Sequence, residues 1–276
     1  MSHLNFSLLD LVHATTNAVL ISFLLTVSTA SFGGERISVF TEQDYPLNYT
    51  DSGEDDGPII GFATELVIAV LEEAGLEYEI KIGPWVRAVQ AIDSEENVLV
   101  YSMARSPARE NRYHWIGEIN PLDYYLYGLK ANIDRLPRSL DEAADFRIGV
   151  TRGYAMHKYF AEKNFERLSV ARNPAITLNM LKRGRVDLVP MSRLSVGMIA
   201  NRYGIDRADL IGVIRLVDIA TSTNMALSQN TKAETVSRLQ AAYARIRASG
   251  RYDEIMGPLI SLMEDNQVDI LATGGR

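Results

Sequence analysis

The sequence predicts an α/β protein built as two packed lobes. Segments of apolar–polar alternation recur along the chain, and each is followed by a segment with helical spacing. The second half repeats the strand–helix order of the first. The chain has 276 residues, 47% of them apolar, enough for a substantial core but too long for a single one.

Ile37, Val39 and Thr41 alternate as a first strand, before a turn-rich stretch from Asp44 to Pro58 whose acidic run, Asp51 to Pro58, reads as a solvated loop. From Gly61 the spacing turns helical. Phe62, Leu66, Ala69 and Val70 share one face, and Gly75 suits the stop. Leu76, Tyr78, Ile80 and Ile82 then alternate with Glu77, Glu79 and Lys81 as a strand. In the second half Phe146, Ile148 and Val150 form a strand, with Gly153 and a helix to about Asn164 behind it. Asn173-Pro174 pairs an N-cap residue with proline at the first helical position, and Gly184 closes that helix. Val186–Met191 reads as a short apolar strand and Arg193–Tyr203 as a helix stopped by Gly204. Thr231-Lys-Ala-Glu234 has the form of a capping box. It opens the last expected helix, with Val236, Leu239, Tyr243 and Ile246 inward, before Gly250.

The N-terminus carries an apolar run from Ala18 to Val27, too short to span a bilayer. The small residues Ser28, Thr29, Ala30 and Ser31 follow it, which fits cleavage after Ala30. Residues 1–17 contain no Lys or Arg, a departure from the usual leader. We expect residues 1–30 to be a signal peptide removed on secretion.

Composition removes several function classes. Lys+Arg number 28 against 35 Asp+Glu, giving a net charge of −7 and a pI near 5.2. Such a surface lacks the basic stripe that nucleic-acid binding needs. Without cysteine there are no disulfides, no thiolate nucleophile and no thiolate metal site. There is no phosphate-binding loop, dinucleotide fingerprint or Gly-x-Ser-x-Gly elbow. His114 and His157 stand far apart without metal-like spacing, so neither a cofactor nor a metal is expected. Acid–base work by two carboxylates stays open, because a cleft can gather them from distant loops.

Asp44-Tyr-Pro46, Gly61-Phe62, Trp85, Arg109, Gly149-Val150, Gly153 and Gly184-Arg-Val-Asp187 occur in a familiar order. With them the chain resembles the extracellular solute-binding proteins of family 3, the polar amino-acid-binding type of periplasmic receptor for ABC importers. The resemblance runs from about Arg36 to Pro258. It implies a two-lobe periplasmic-binding-protein-like fold of type II, with two crossover hinge strands and the ligand between the lobes. One lobe would comprise 35–126 plus 223–276 and the other 127–222, with crossings near Tyr127–Lys130 and Ala220–Met225. It also implies a non-catalytic monomer whose partners are a small-molecule solute and the membrane subunits of an ABC importer.

The family's cleft positions map onto this chain one by one. Glu42 and Tyr45 stand where an acidic residue and a ligand-stacking aromatic are usual, and Trp85 matches an aromatic before the second helix. Arg109 takes the position of the arginine that grips the ligand α-carboxylate, work suited to a planar guanidinium. Ser102 and Ala104 stand where small or hydroxyl residues accept the ligand amine. Arg105 is an extra cation that would widen the anionic preference or pair with Glu110. Arg152-Gly-Tyr-Ala155 occupies a turn whose backbone N–H groups would face a ligand anion, with Tyr154 and Ala155 on the pocket. Ser192 replaces the Asp that usually holds the α-ammonium, and Asp187 is structural. The ligand is then either a carboxylate without a free amine or an amino acid whose cation is held by Glu42 or another carboxylate. Two alternatives stand beside the importer receptor. One is a prephenate- or arogenate-type dehydratase with Glu42, Glu118 or Asp123 as general acid. The other is a receptor that presents its ligand to a separate sensor chain.

Overall fold

The computed structural model describes residues 36–52, 57–217 and 222–271. The expected signal peptide lies outside the described residues, as do 53–56 of the acidic loop and 218–221. Along the chain the elements are β1 (Arg36–Thr41), α1 (Phe62–Glu73), β2 (Glu77–Ile82), α2 (Trp85–Ser94), β3 (Val98–Ala104) and β4 (Tyr113–Pro121). There follow β5 (Tyr124–Leu129), β6 (Ile148–Thr151), α3 (Ala155–Glu162), β7 (Leu168–Ala171), α4 (Pro174–Lys182), β8 (Val189–Ser192), α5 (Val196–Arg202) and β9 (Leu210–Leu216). The last are β10 (Ser222–Ser228), α6 (Ala233–Ala248), α7 (Arg251–Asp265) and β11 (Asp269–Ile270).

Two sheets result. One has the order β2-β1-β3-β10-β4, parallel through β2-β1-β3 and antiparallel around β10. The other has the order β11-β9-β5-β8 and lies beside the short parallel pair β6-β7. Ile37, Val39 and Thr41 face inward as their alternation predicts. They join the apolar stripes of α1, α6 and α7 in one core, where Leu66, Val70 and Leu239 are fully buried. Each such side chain is worth about 1.5–3 kcal/mol. On the other face Trp85, Ala88 and Ile92 of α2 cover Val98 and Val100. The second sheet has its own cores, around Leu126, Ile148 and Phe160 and around Tyr127, Leu178 and Ile199.

Local signals held where nothing distant competed for them. Asn173 caps α4 by accepting from Ile176 N at 2.9 Å, with Pro174 in the first turn. Gly75 and Gly184 take left-handed conformations at helix ends. The capping box did not form. Thr231 Oγ1 instead accepts from Asn97 N at 3.1 Å and pairs with Ser228 Oγ at 3.0 Å, so its hydroxyl ties the start of β3 to the end of β10. The chain also does not end its helices at Gly250 but restarts as α7, with Pro258 inside it.

The crossings differ from expectation as well. The chain leaves the first sheet at Pro121 and enters the second at Tyr124, so the passage is Leu122-Asp123. Tyr127–Lys130 is not the crossing: Tyr127 sits inside β5, fully buried between β8 and β9. The return falls between Leu216 and Ser222. After α7, whose Ile255 and Leu259 belong to the first core, β11 pairs with β9 and makes a third passage.

Candidate functional site

The carboxyl ends of β1, β3, β6 and β8 bring their following segments to one cavity. Glu42, Asp44, Trp85, Ser102, Ala104 and Arg109 line it from the first sheet's side, and Thr151, Tyr154, Ala155, Ser192 and Ser195 from the second's. Eight of the nine residues singled out from the sequence therefore meet at one place.

The segment after β1 is shaped by Asn48, which is fully buried. Its amide nitrogen donates to Thr41 Oγ1 at 2.8 Å and to the Glu42 carbonyl at 2.7 Å, and its oxygen accepts from Ser102 Oγ at 2.5 Å. Backbone bonds between Asp44 and Asn48 at 2.7 and 2.9 Å close the turn. The carbonyls of Pro46 and Leu47 then accept from Phe62 N and Ala63 N, satisfying orphan donors at the start of α1. Gly61 permits this approach. It has φ 118°, and a Cβ there would lie 2.5 Å from Leu47 O.

Ser102 reaches the cavity through an irregularity in β3. Its φ is 56°, rare for a non-glycine residue. Pairing with β10 slips between Asn224 and Ala226, so that Tyr101 and Ser102 together oppose Met225. Such a bulge re-aims a side chain next to a site.

Arg109 ends a short 3₁₀ turn, Pro107–Arg109, and is only 4% exposed. Its guanidinium donates to Ala104 O at 3.1 Å and to Gly153 O at 3.4 Å, and lies 5.7 Å from the Trp85 ring centroid. Trp85 Nε1 donates to the same Gly153 carbonyl at 3.3 Å, and its ring meets Tyr154 edge-on at 6.0 Å. Burial pulls the Arg109 pKa below its ordinary value, yet a guanidinium remains a cation at any physiological pH. Among the described residues no carboxylate reaches ion-pair distance of it.

Two carboxylates share the cavity. Burial pushes Glu42 well above its ordinary value, opposed by a hydrogen bond from the Tyr154 hydroxyl and by the charge of Arg109. Asp44 is raised to about 6 by burial. Tyr154 and Tyr124 are raised in turn, first by burial and then by these carboxylates.

Ser192 is buried on the cavity wall, and its Oγ accepts from Leu194 N at 3.2 Å. The turn before α3 departs from expectation. Gly153 N donates to His157 Nδ1 at 3.3 Å and Tyr154 N to Thr151 O at 3.2 Å, so these two N–H groups are spent inside the protein. Tyr45 is the residue placed elsewhere. Its ring turns out of the cavity to meet Tyr49 edge-on at 4.8 Å and the Arg202 guanidinium at 4.7 Å, a favourable cation–π contact. Arg105 also stays outside, paired with Glu110 through Nε at 2.8 Å and stacked on Trp115. Asp187 holds Arg147 with both oxygens. Glu118 is exposed and Asp123 pairs with Arg215 at 2.7 Å, so of the three general-acid candidates only Glu42 lines the cavity. The sequence reading missed Asn48, Tyr124 and Asp44 as site residues. For Asp44 a signal existed, a second acid two residues from Glu42 in the same loop.

No curated protein matches the sequence. Among solved structures, a histidine kinase sensor domain with similarity to periplasmic binding proteins superposes with a TM-score of 0.70 at 22% identity, covering 82% of this chain and 96% of that one. An ancestral arginine-binding protein bound to arginine gives 0.69 at 19%, covering 81% and 97%. The arginine-, lysine-, histidine-binding protein ArtJ from Geobacillus stearothermophilus gives 0.68 at 19%, covering 82% and 96%. At these identities the likeness is one of fold, the two-lobe periplasmic-binding-protein type. Residues 37–261 match the bacterial extracellular solute-binding proteins, family 3, and the chain belongs to that family.

Proposed function

We propose that this solute-binding protein works in the periplasm, closing two lobes on a small carboxylate-bearing solute, an amino acid or a relative, and delivering it to an ABC importer. One observation carries the reading. Arg109 is a buried guanidinium on the cavity wall, and among the described residues no carboxylate reaches ion-pair distance of it. A ligand carboxylate would complete it, in a site already walled by Trp85 and Tyr154. The lobes would be the two sheets with their helices, and the hinge would include the passage at Leu122-Asp123. Arg109 to Gly153 and Glu42 to Tyr154 are contacts between the two sides, so ligand and protein together would hold the closed state. A non-catalytic role agrees with Glu118 and Asp123 lying outside the cavity and Glu42 being engaged by Tyr154.

The same closure would serve a separate sensor chain, and the likeness in fold to a histidine kinase sensor domain favours keeping that second reading. Small-angle scattering of the purified protein, titrated with a panel of L-amino acids and short carboxylic acids, tests the shared step. A probe that binds by calorimetry should reduce the radius of gyration. Binding without compaction would remove hinge closure from the account.

A further inference from the structure

The net charge of the chain conceals an uneven distribution. Residues 124–216, from β5 to β9, hold 16 Lys+Arg against 9 Asp+Glu, while the rest of the sequence holds 12 against 26. The imbalance is sharpest between Arg167 and Ile205, with seven basic residues and one acid, Asp187, both of whose oxygens are taken by Arg147. Neither α4 nor α5 contains an acid. Asp206, just beyond α5, is engaged by Ala208 N at 2.9 Å. α4 buries Thr177, Leu178 and Leu181, and its other side forms a groove in which Ile176 and Met180 lie with Arg183 and Arg185. A second groove at the start of α4 is lined by Ala175, Arg202 and Tyr203. Lys182 Nζ donates to the Gly204 carbonyl at 2.7 Å and ties the ends of α4 and α5 together. Lys182, Arg183, Arg185 and Arg202 are exposed, and among the described residues none reaches a carboxylate at ion-pair distance. Exposed arginines on the first sheet's side behave differently, since Arg36, Arg112, Arg245 and Arg251 each hold one.

Tyr203 is 53% exposed beside Arg202. Unpaired cations around a part-exposed aromatic suit a layer of anionic headgroups, which offers negative charge and an apolar margin without demanding a matched shape. A protein interface would ask for a contiguous apolar core, whereas here Tyr203 and the edges of Ile176 and Met180 stand in two separate grooves. No helix among the described residues is long and apolar enough to cross a membrane, so contact through this face is peripheral. We infer that the α4–α5 face rests on anionic phospholipid headgroups, with the acidic remainder of the chain turned away from the surface. The inference is independent of which solute the cavity holds.

Co-sedimentation of the purified protein with vesicles of phosphatidylcholine, alone or mixed with phosphatidylglycerol, tests it. The wild-type protein should bind the anionic vesicles and not the neutral ones, and should detach as salt shortens the screening length. Each basic residue near such a surface strengthens binding about fivefold, so Arg183→Ser combined with Arg185→Ser should weaken it about tenfold or more. Arg183→Lys combined with Arg185→Lys keeps the charge and should keep most of the binding. Arg135→Ser combined with Arg138→Ser removes the same charge from the exposed connection between β5 and β6 and should matter much less. The inference is overturned if the wild-type protein ignores the anionic vesicles or binds both kinds alike. It is equally overturned if the two serine pairs lose binding to the same extent, or if the lysine pair loses as much as the serine pair at 183 and 185. Immobilised polyglutamate supplies the remaining comparison. Retention there through Arg183 and Arg185, without binding to vesicles, would overturn the inference and assign the face to an acidic protein partner.

Discussion

Arg109 sits among backbone carbonyls, with Ala104 O and Gly153 O as its acceptors and the Trp85 face beside it. Those partners orient the guanidinium without neutralising it, which leaves its charge for a ligand. Removing one member of a buried charge pair costs about 3–5 kcal/mol. By calorimetry, Arg109→Ala should therefore weaken a carboxylate ligand by about two to four decades. Arg109→Lys should recover only part, because a point charge cannot engage both oxygens. Arg105→Ala should change binding little, since that side chain spends its charge on exposed Glu110. Equal losses for the two arginines would place the clamp at the wrong residue. Asp44 carries a pH signature of its own. Burial lifts its folded pKa from an ordinary 3.8 to about 6, so the folded protein binds this proton more tightly than the unfolded chain does. Ligand-free stability should thus fall as pH rises from about 4 to about 6 and level off above, by at most about 3 kcal/mol. Thermal melts should show Asp44→Asn gaining stability at pH 7 but not at pH 4. An unaltered pH slope in that variant would contradict the assigned burial.

At the scale of elements, the site depends on how one loop docks against one helix. The carbonyls of Pro46 and Leu47 cap α1 only because Gly61 has no Cβ at φ 118°. Gly61→Ala should cost at least about 2 kcal/mol in urea unfolding, through strain and a clash with backbone. It should weaken ligand binding in parallel, since the same loop carries Glu42 and Asp44; wild-type stability in that variant would show the loop docking some other way. Elements were legible in the sequence where their signals were local. The alternation of β1 and the Asn173-Pro174 start of α4 fall in this group. Features set by distant partners were not legible. Thr231 lost its cap to Asn97 and Ser228, Tyr45 turned to Arg202 on α5, and α7 continued through Pro258 after a glycine that reads as a stop. The family resemblance brought Arg109, Trp85 and Ser102 to the cavity. Asp44 stood in a motif that carried the resemblance but was given no place in the cleft, and Asn48 escaped because a buried amide leaves no periodic trace.

For the whole molecule, the two sheets share three chain passages and meet around a cavity whose wall residues come from both sides. The second sheet supplies Gly153 O to Arg109 and the Tyr154 hydroxyl to Glu42, so the charge pattern of the site is complete only when both sides are present. The central claim is that this cavity holds a small carboxylate against Arg109. Native mass spectrometry of protein purified from cells, comparing wild type with Arg109→Ala, tests it most directly. The account predicts a low-mass, carboxylate-bearing compound retained by wild type and lost from Arg109→Ala. Equal retention by both proteins, or a retained compound without a carboxylate, would contradict it.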